Sequence, residues 1–115
     1  MAFSVWITGY LKETGAPAFE MEPPWWPERE LRQDDRFQAS TTDGYLDYDA
    51  DLSVAATREL HERFRPAATQ GGFAYSGWQA QIQPMLATLD DVLGARVSEF
   101  ARFHVCVFEW EAGLE

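Results

Sequence analysis

The chain has 115 residues, of which 46% are hydrophobic and 15% aromatic. This length suits one domain spanning 1–115, and the composition argues against a disordered chain. The 19 acidic residues against 9 basic ones give a formal charge of −10. That charge argues against nucleic acid and anionic membranes as partners, since both require positive counter-charge. It favours a basic protein partner, or it simply keeps the protein in solution.

The single cysteine, Cys106, cannot form an intramolecular disulfide. This suits a reducing compartment, and its apolar neighbours indicate a small buried side chain. The N-terminus has no basic flank and no long apolar run, so we expect neither a signal peptide nor a membrane span. Eight of the nine basic residues are arginine. Together these features indicate a cytoplasmic bacterial protein.

The first half of the chain predicts strands around a long loop. Residues 2–12 alternate between two faces, which is typical of a strand. Four prolines in 13–35 exclude a long helix and a central strand, leaving an acidic loop with a helical turn or two at 28–35. Residues 36–41 and 45–49 predict a hairpin, because Thr42-Asp43-Gly44 is a turn signal.

Two helices and a strand are predicted in the second half. Asp51 or Ser53 caps the first helix, whose apolar ladder begins at Leu52 and which ends at Pro66. A linker follows, with a short strand at 72–75. The second helix makes one turn at 77–83 and runs from Pro84 to Gly94. Its apolar stripe comprises Trp78, Ile82, Met85, Leu86, Leu89, Val92, Leu93 and Val97.

Residues 102–111 predict the last strand, and neither of its faces is cleanly polar. This favours a central strand that lies beside the first strand. The element order therefore predicts a small single α+β domain. We expect a mainly antiparallel sheet of about four strands, with two helices packed on one face.

No residue pattern predicts a catalytic site, a metal site or a cofactor. His61 and His104 are the only histidines, and they match no standard ligand spacing with Cys106. Residues 47–51 resemble the opening of a calcium-binding EF-hand loop, but Leu52 replaces the required glycine and Arg58 the closing glutamate. We therefore expect a non-enzymatic protein without a bound metal.

Charge and aromatic residues concentrate in residues 13–51. This segment holds eleven acidic residues against three arginines, so it carries −8 of the total −10. Carboxylates steer a basic partner, and tryptophan and tyrosine supply most of the affinity at many interfaces. We predict that the partner-binding residues are Trp25, Trp26, Asp43, Tyr45, Asp47, Tyr48 and Asp49.

A short, acidic, tryptophan-rich chain that closes on the run FHVCVFEWE (103–111) resembles the bacterial immunity proteins that neutralise polymorphic toxins. The resemblance implies a cytosolic inhibitor that occludes the active site of a cognate toxin or effector enzyme. Phage-encoded inhibitors of CRISPR effectors share this profile. Two alternatives stay open. One is a homodimeric assembly protein, and the other is a small-molecule-binding or enzymatic domain with a pocket of Trp25, Trp26, Tyr45 and Tyr48.

Overall fold

A computed structural model describes residues 2–70 and 79–110. Five strands, three α-helices and one 3₁₀ turn make up these residues. In chain order they are β1 (Ala2–Leu11), β2 (Pro17–Met21), α1 (Glu28–Arg32), β3 (Gln38–Thr42), β4 (Tyr45–Ser53), α2 (Val54–Gln70), α3 (Gln79–Val92), the 3₁₀ turn Val97–Glu99 and β5 (Phe100–Trp110). The predicted strand at 72–75 and Trp78 lie outside the described residues.

The five strands form one antiparallel sheet in the order β2-β1-β5-β4-β3. The α+β class and the placement of the last strand beside the first are confirmed. The strand that we did not predict is β2, which lies in a segment we expected to be loop, whereas the short helix α1 falls within the helical turn or two predicted at 28–35. Pro17 begins β2 at the edge of the sheet, where a residue without an N–H is tolerated.

The pairing of β1 with β5 gives the sheet two unlike faces. Their register runs from Ala2↔Trp110 to Leu11↔Phe100. Side chains alternate across a strand, so odd-numbered residues of both strands share one face. Val5 and Ile7 are buried on that face, and Phe103, Val105 and Val107 are fully enclosed beneath the helices. On the other side, the even-numbered residues from Ser4 to Tyr10 and from His104 to Phe108 are only half-buried, and Arg102 is exposed. We call their side of the sheet the open face.

Gly9 makes room for two aromatic rings at the centre of the core. It pairs with Phe103 in the neighbouring strand. A Cβ atom at this position would lie 2.7 Å from Cε1 of Phe103 and 2.9 Å from Cε1 of Phe100. Both rings are completely buried and stack at a centroid distance of 5.2 Å. Only glycine allows the strand to pass this closely over them.

The hairpin of β3 and β4 confirms the predicted turn. Asp43 and Gly44 both have positive φ angles, 51° and 84°, as a type I′ turn requires. The second strand runs further than expected, to Ser53, because the alternation continues with Ala50 and Leu52 buried. Leu52 is therefore a strand residue and not the start of the helix.

Helix α2 is capped by Ser53 and not by Asp51. The Ser53 Oγ accepts a hydrogen bond from the N–H of Ala56 at 3.1 Å, which satisfies one donor that the first helical turn leaves free. Asp51 lies within β4 and instead forms an ion pair with Arg102. Of the two caps that we considered, only the residue adjacent to Val54 is placed to reach the helix amides.

Two prolines lie inside helices. We expected Pro66 to end the first helix and Pro84 to begin the regular part of the second. Pro66 lies inside α2, which continues to Gln70, and Pro84 lies inside α3, which begins at Gln79. A proline removes one intrahelical hydrogen bond. Both residues are on the solvent side, so water can bond the freed carbonyl groups. Buried Ile82, Leu86, Leu89, Val92 and Leu93 confirm most of the predicted stripe of α3.

Replacing Gly9 by alanine should destabilise the fold. We expect Gly9→Ala to lower the free energy of unfolding by about 1–3 kcal/mol, because the added methyl group overlaps two packed rings. Urea unfolding measures the loss. In the Gly9→Ala background, Phe103→Leu should cost less than it does alone, since it relieves the overlap. Unchanged stability in Gly9→Ala would contradict this account of the core.

Candidate functional site

Trp25 and Trp26, the two predicted anchors for a partner, lie in the core. Each is 3% exposed. The ring of Trp26 packs edge-to-face on Phe64 of α2 at a centroid distance of 5.4 Å. The proline-rich loop therefore folds back onto the helices, because burial of two indoles outweighs the ordering cost of the loop. In this arrangement the two rings offer a partner almost no contact area.

The other predicted binding residues follow the β3–β4 hairpin to both faces. Asp43 is exposed in the turn, and Tyr45 is 38% exposed beside it. Tyr48 points to the covered face, where its ring lies edge-on to Phe3 at 6.4 Å. These residues and the two tryptophans therefore do not line one pocket.

Asp47 and Asp49 lie in one line on the open face, and Asp51 continues it. All three belong to β4, and their spacing of two residues puts them on the same side of the strand. The pairing register places them beside Phe108, Cys106 and His104 of the central strand. The five-residue pattern that resembled a calcium loop is thus an extended strand.

Three aromatic residues of the open face were not among the predicted binding residues. Trp6 and Tyr10 come from β1 and Phe108 from β5, and all three are half-buried. The even-residue alternation of 2–12 already placed Trp6 and Tyr10 together, but the distance in sequence hid their proximity to the aspartates. The register brings Trp6, Cys106, Asp49 and Gln38 into one row across four strands.

Two side chains of β5, His104 and Arg102, contact the aspartates. The Nε2 of His104 lies 2.9 Å from Asp49, and its Nδ1 lies 3.1 Å from Asp51. Arg102 donates to Asp51 at 2.8 Å, and its guanidinium lies 3.9 Å from the ring centre of Tyr10. Asp47 forms no ion pair within the described part of the chain. Acidic character is therefore greatest at the Asp47 end of the line.

Cys106 lies between Trp6 and Asp49 in the sheet, and its thiol has low nucleophilic reactivity. Burial raises the pKa of its thiol to about 12, and a hydrogen bond to Asp49 adds to the effect. Only the thiolate is a good nucleophile, so the thiol is unreactive at neutral pH. We expected a small buried side chain here, but Cys106 is only half-buried, because it lies on the open face.

A groove of about 470 Å³ runs along the hairpin side of the open face, lined in part by Arg36, Gln38, Ser40, Asp49, Asp51 and His104. Arg36 closes one end and is held by two hydrogen bonds to Asp34, at 2.9 and 2.7 Å. These bonds lower the pKa of Asp34 to about 2. The arginine is thus already paired, and the wall beside Asp49 and Asp51 keeps its acidic character.

A second polar cluster joins α2 to α3 on the opposite side of the sheet. His61 is 5% exposed, and its Nε2 lies 2.6 Å from Asp90. Arg65 binds the same carboxylate with two hydrogen bonds, at 3.0 and 2.8 Å. Arg65 first and His61 second lower the pKa of Asp90. The cluster carries no nucleophile, and its evident effect is to tie the two helices together.

Within residues 2–70 and 79–110, no group of three or more acidic, histidine or cysteine side chains is arranged to hold a metal ion. No helix of the described chain is long and apolar enough to cross a membrane.

The Cys106 thiol should react slowly with a disulfide reagent. A thiol with a pKa of about 12 holds far less thiolate near pH 8 than free cysteine, so we expect a rate roughly a thousandfold lower. The rate should still be rising above about pH 10. Asp49→Asn should speed the reaction at fixed pH, because its charge helps to raise the thiol pKa. A wild-type rate that levels off below about pH 9 would contradict this environment.

Asp90→Asn should weaken the fold in a pH-dependent way. Because the pKa of Asp90 is lowered in the folded state, its contribution is present above about pH 4 and is lost as the pH falls. The stability difference between wild type and Asp90→Asn in urea should therefore be clear near pH 7 and should shrink towards pH 2. Asp91→Asn, an exposed neighbour on α3, serves as the control and should change little at either pH.

The chain was compared with protein-family models, curated proteins and solved structures. No protein-family model, no curated protein and no solved structure matches the chain.

Proposed function

We propose that this chain is a non-enzymatic binding protein that inhibits a basic enzyme by covering its active site, and that the open face is its contact surface. The observation that carries the proposal is the line Asp47, Asp49 and Asp51 beside the half-buried rings of Trp6 and Phe108. Acidic steering and aromatic anchoring thus share one surface.

Position on the sheet makes this surface rigid. The carboxylates stand on β4 and the rings on β1 and β5, each of which is paired on both sides. A strand holds alternate side chains about 6.6–7 Å apart, so the charges form a fixed row. A preorganised row loses little conformational freedom when a partner binds, which favours affinity.

Charge gives the surface its selectivity. The chain carries a formal charge of −10, and Asp47 is unpaired within the described residues. Asp51 remains 65% exposed despite its pair with Arg102. Acidic groups at an interface raise the association rate with a basic partner, and they disfavour acidic ones. The active sites of enzymes that act on nucleic acids are partners of this kind.

The aromatic residues of the open face take the role that we first gave to Trp25 and Trp26. Phe108 lies beside Asp47 in the neighbouring strand, Trp6 lies one strand further on, and neither is fully buried. Large rings that lose their remaining solvent contact on binding are typical hot spots. The resemblance to immunity proteins supports this proposal in type, since those proteins are small acidic inhibitors.

The alternative is a homodimeric assembly protein that associates through a free sheet edge. The uncharged edge strand β3 favours it, because unpaired backbone groups invite another strand. Repulsion between two copies that each carry −10 opposes it. Sedimentation at several salt concentrations distinguishes the two: a stable dimer in the absence of any partner supports the alternative.

The aspartates should govern association with the partner. Asp47→Asn, Asp49→Asn and Asp51→Asn combined should slow binding and flatten its dependence on salt, because interface charges act mostly on the association rate. The partner is first captured from the native host on immobilised protein and identified, and binding is then followed by surface plasmon resonance. Asp51 does not cap α2, so the triple variant keeps its helix cap.

A matched variant separates local from total charge. Glu59→Gln, Glu62→Gln and Asp91→Asn remove the same three charges from exposed sites on α2 and α3. This variant should bind at a rate closer to wild type. Trp6→Ala should instead raise the dissociation rate. If the ring is a central anchor, the loss of binding free energy is about 2 kcal/mol. Equal effects of both triple variants would place the contact surface elsewhere.

A further inference from the structure

The two edges of the sheet are protected to different degrees. β2 carries Pro17 and Glu20, and its pairing with β1 is interrupted by a register shift at Gly9/Tyr10. Prolines, charges and bulges are devices that keep another strand from adding to an edge. β3 at the other edge reads Gln-Ala-Ser-Thr-Thr and has none of them. Among residues 2–70 and 79–110, no strand pairs with the outer side of β3, so this edge is the one suited to strand addition.

The hairpin geometry identifies which backbone groups are free. A two-residue type I′ turn closes with a hydrogen-bonded pair, here Thr42 and Tyr45, and the pairs then alternate. Ala39 and Thr41 accordingly lie in pairs that do not hydrogen-bond to β4. The amide of Leu46, opposite Thr41, confirms the alternation: it points away from β3 and donates to Glu109 Oε1 at 3.1 Å.

The N–H and C=O groups of Ala39 and Thr41 thus point outward from the sheet. Outside the sheet ladder, no hydrogen bond among the described residues uses them. Both residues are exposed. Together they present two donors and two acceptors in the spacing that an added strand requires.

The groove beside this edge indicates what such a strand carries. Side chains of an added strand that stand on the open face would continue the rows of Gln38 and Ser40. Strands lie about 4.8 Å apart, so a lysine or arginine there is long enough to cross one strand towards Asp47 or Asp49. Those carboxylates are the nearest charged groups of the rows, since Gln38 and Ser40 are neutral.

We propose that β3 is the docking edge for an extended basic segment of the partner. The segment adds antiparallel to β3 through Ala39 and Thr41, with lysine or arginine at alternate positions directed over Gln38 and Ser40 to the aspartates of β4. This inference rests on the proposed function, because it names how the same basic partner is recognised. A second copy of this chain is disfavoured as the occupant, since β3 contributes no positive charge and each copy carries −10.

The probe is a synthetic octapeptide of alternating lysine and threonine, blocked at both ends. In antiparallel addition its threonines lie opposite Ala39 and Thr41, and their N–H groups face β3. Binding to the ¹⁵N-labelled full chain is followed by NMR titration and amide exchange. We expect slower exchange at the amides of Ala39 and Thr41, together with shifts at Asp47 and Asp49.

Two N-methylated peptides of equal charge provide the matched comparison. Methylation at the threonines removes the donors that face β3, and should weaken binding about tenfold or more. Methylation at the lysines removes donors that face solvent, and should leave the affinity within about threefold. On the protein side, Ala39→Pro deletes one outward donor, which an edge strand tolerates, and should also weaken binding.

The outcomes separate this inference from the proposed function. Equal losses with the two methylated peptides, or unchanged exchange at Ala39 and Thr41, would overturn strand addition. If the aspartate signals still shift in that case, the open face binds basic segments and only the docking mode is wrong. If no signal of the open face responds at any peptide concentration, both proposals fail. Protection of Ala39 and Thr41 without peptide, in a sedimenting dimer, would make a second copy the occupant.

Discussion

The pairing of β1 with β5 is the constraint on which the rest of the structure depends. The two chain ends meet in a ladder from Ala2↔Trp110 to Leu11↔Phe100, and this pair forms the interior of the sheet. The ladder closes only because Gly9 leaves space for Phe100 and Phe103. A slip of one residue would move every apolar side chain to the opposite face, so burial of one face fixes the register.

Once that register is fixed, the other elements have little freedom. β4 continues the covered face with Ala50 and Leu52 and passes directly through the cap Ser53 into α2. The loop that carries Trp25 and Trp26 then packs on helix α2, where the ring of Trp26 contacts Phe64. Burial on one face therefore decides which side chains are left for the other, and the open face is a consequence of the core.

This division into a covered and an open face explains why the tryptophans and the aspartates of segment 13–51 lie in different parts of the structure. Of the segment 13–51, the tryptophans stabilise the core and the aspartates of β4 lie on the open face. The rings that accompany those aspartates come from the two ends of the chain, at Trp6 and Phe108. The proposed contact surface thus depends on rigid central strands more than on a flexible loop, and the unprotected strand β3 extends it to the edge of the sheet.

Local patterns in the sequence determined much of the fold. Alternation in 2–12 and 102–111, the Asp43-Gly44 turn and the apolar stripe of α3 act through backbone preference and periodicity, which neighbouring residues decide. The short edge strand β2 and the passage of α2 through Pro66 depend instead on which groups face solvent or a neighbouring strand.

The candidate site likewise has a part that the sequence predicted and a part that only the tertiary structure decided. The sequence predicted Asp47 and Asp49 on one strand, but it did not predict that the strand continues through Asp51. The proximity of these aspartates to Phe108 and Trp6 and the burial of Trp25 arise only when distant segments pair, because register and burial are properties of the whole sheet.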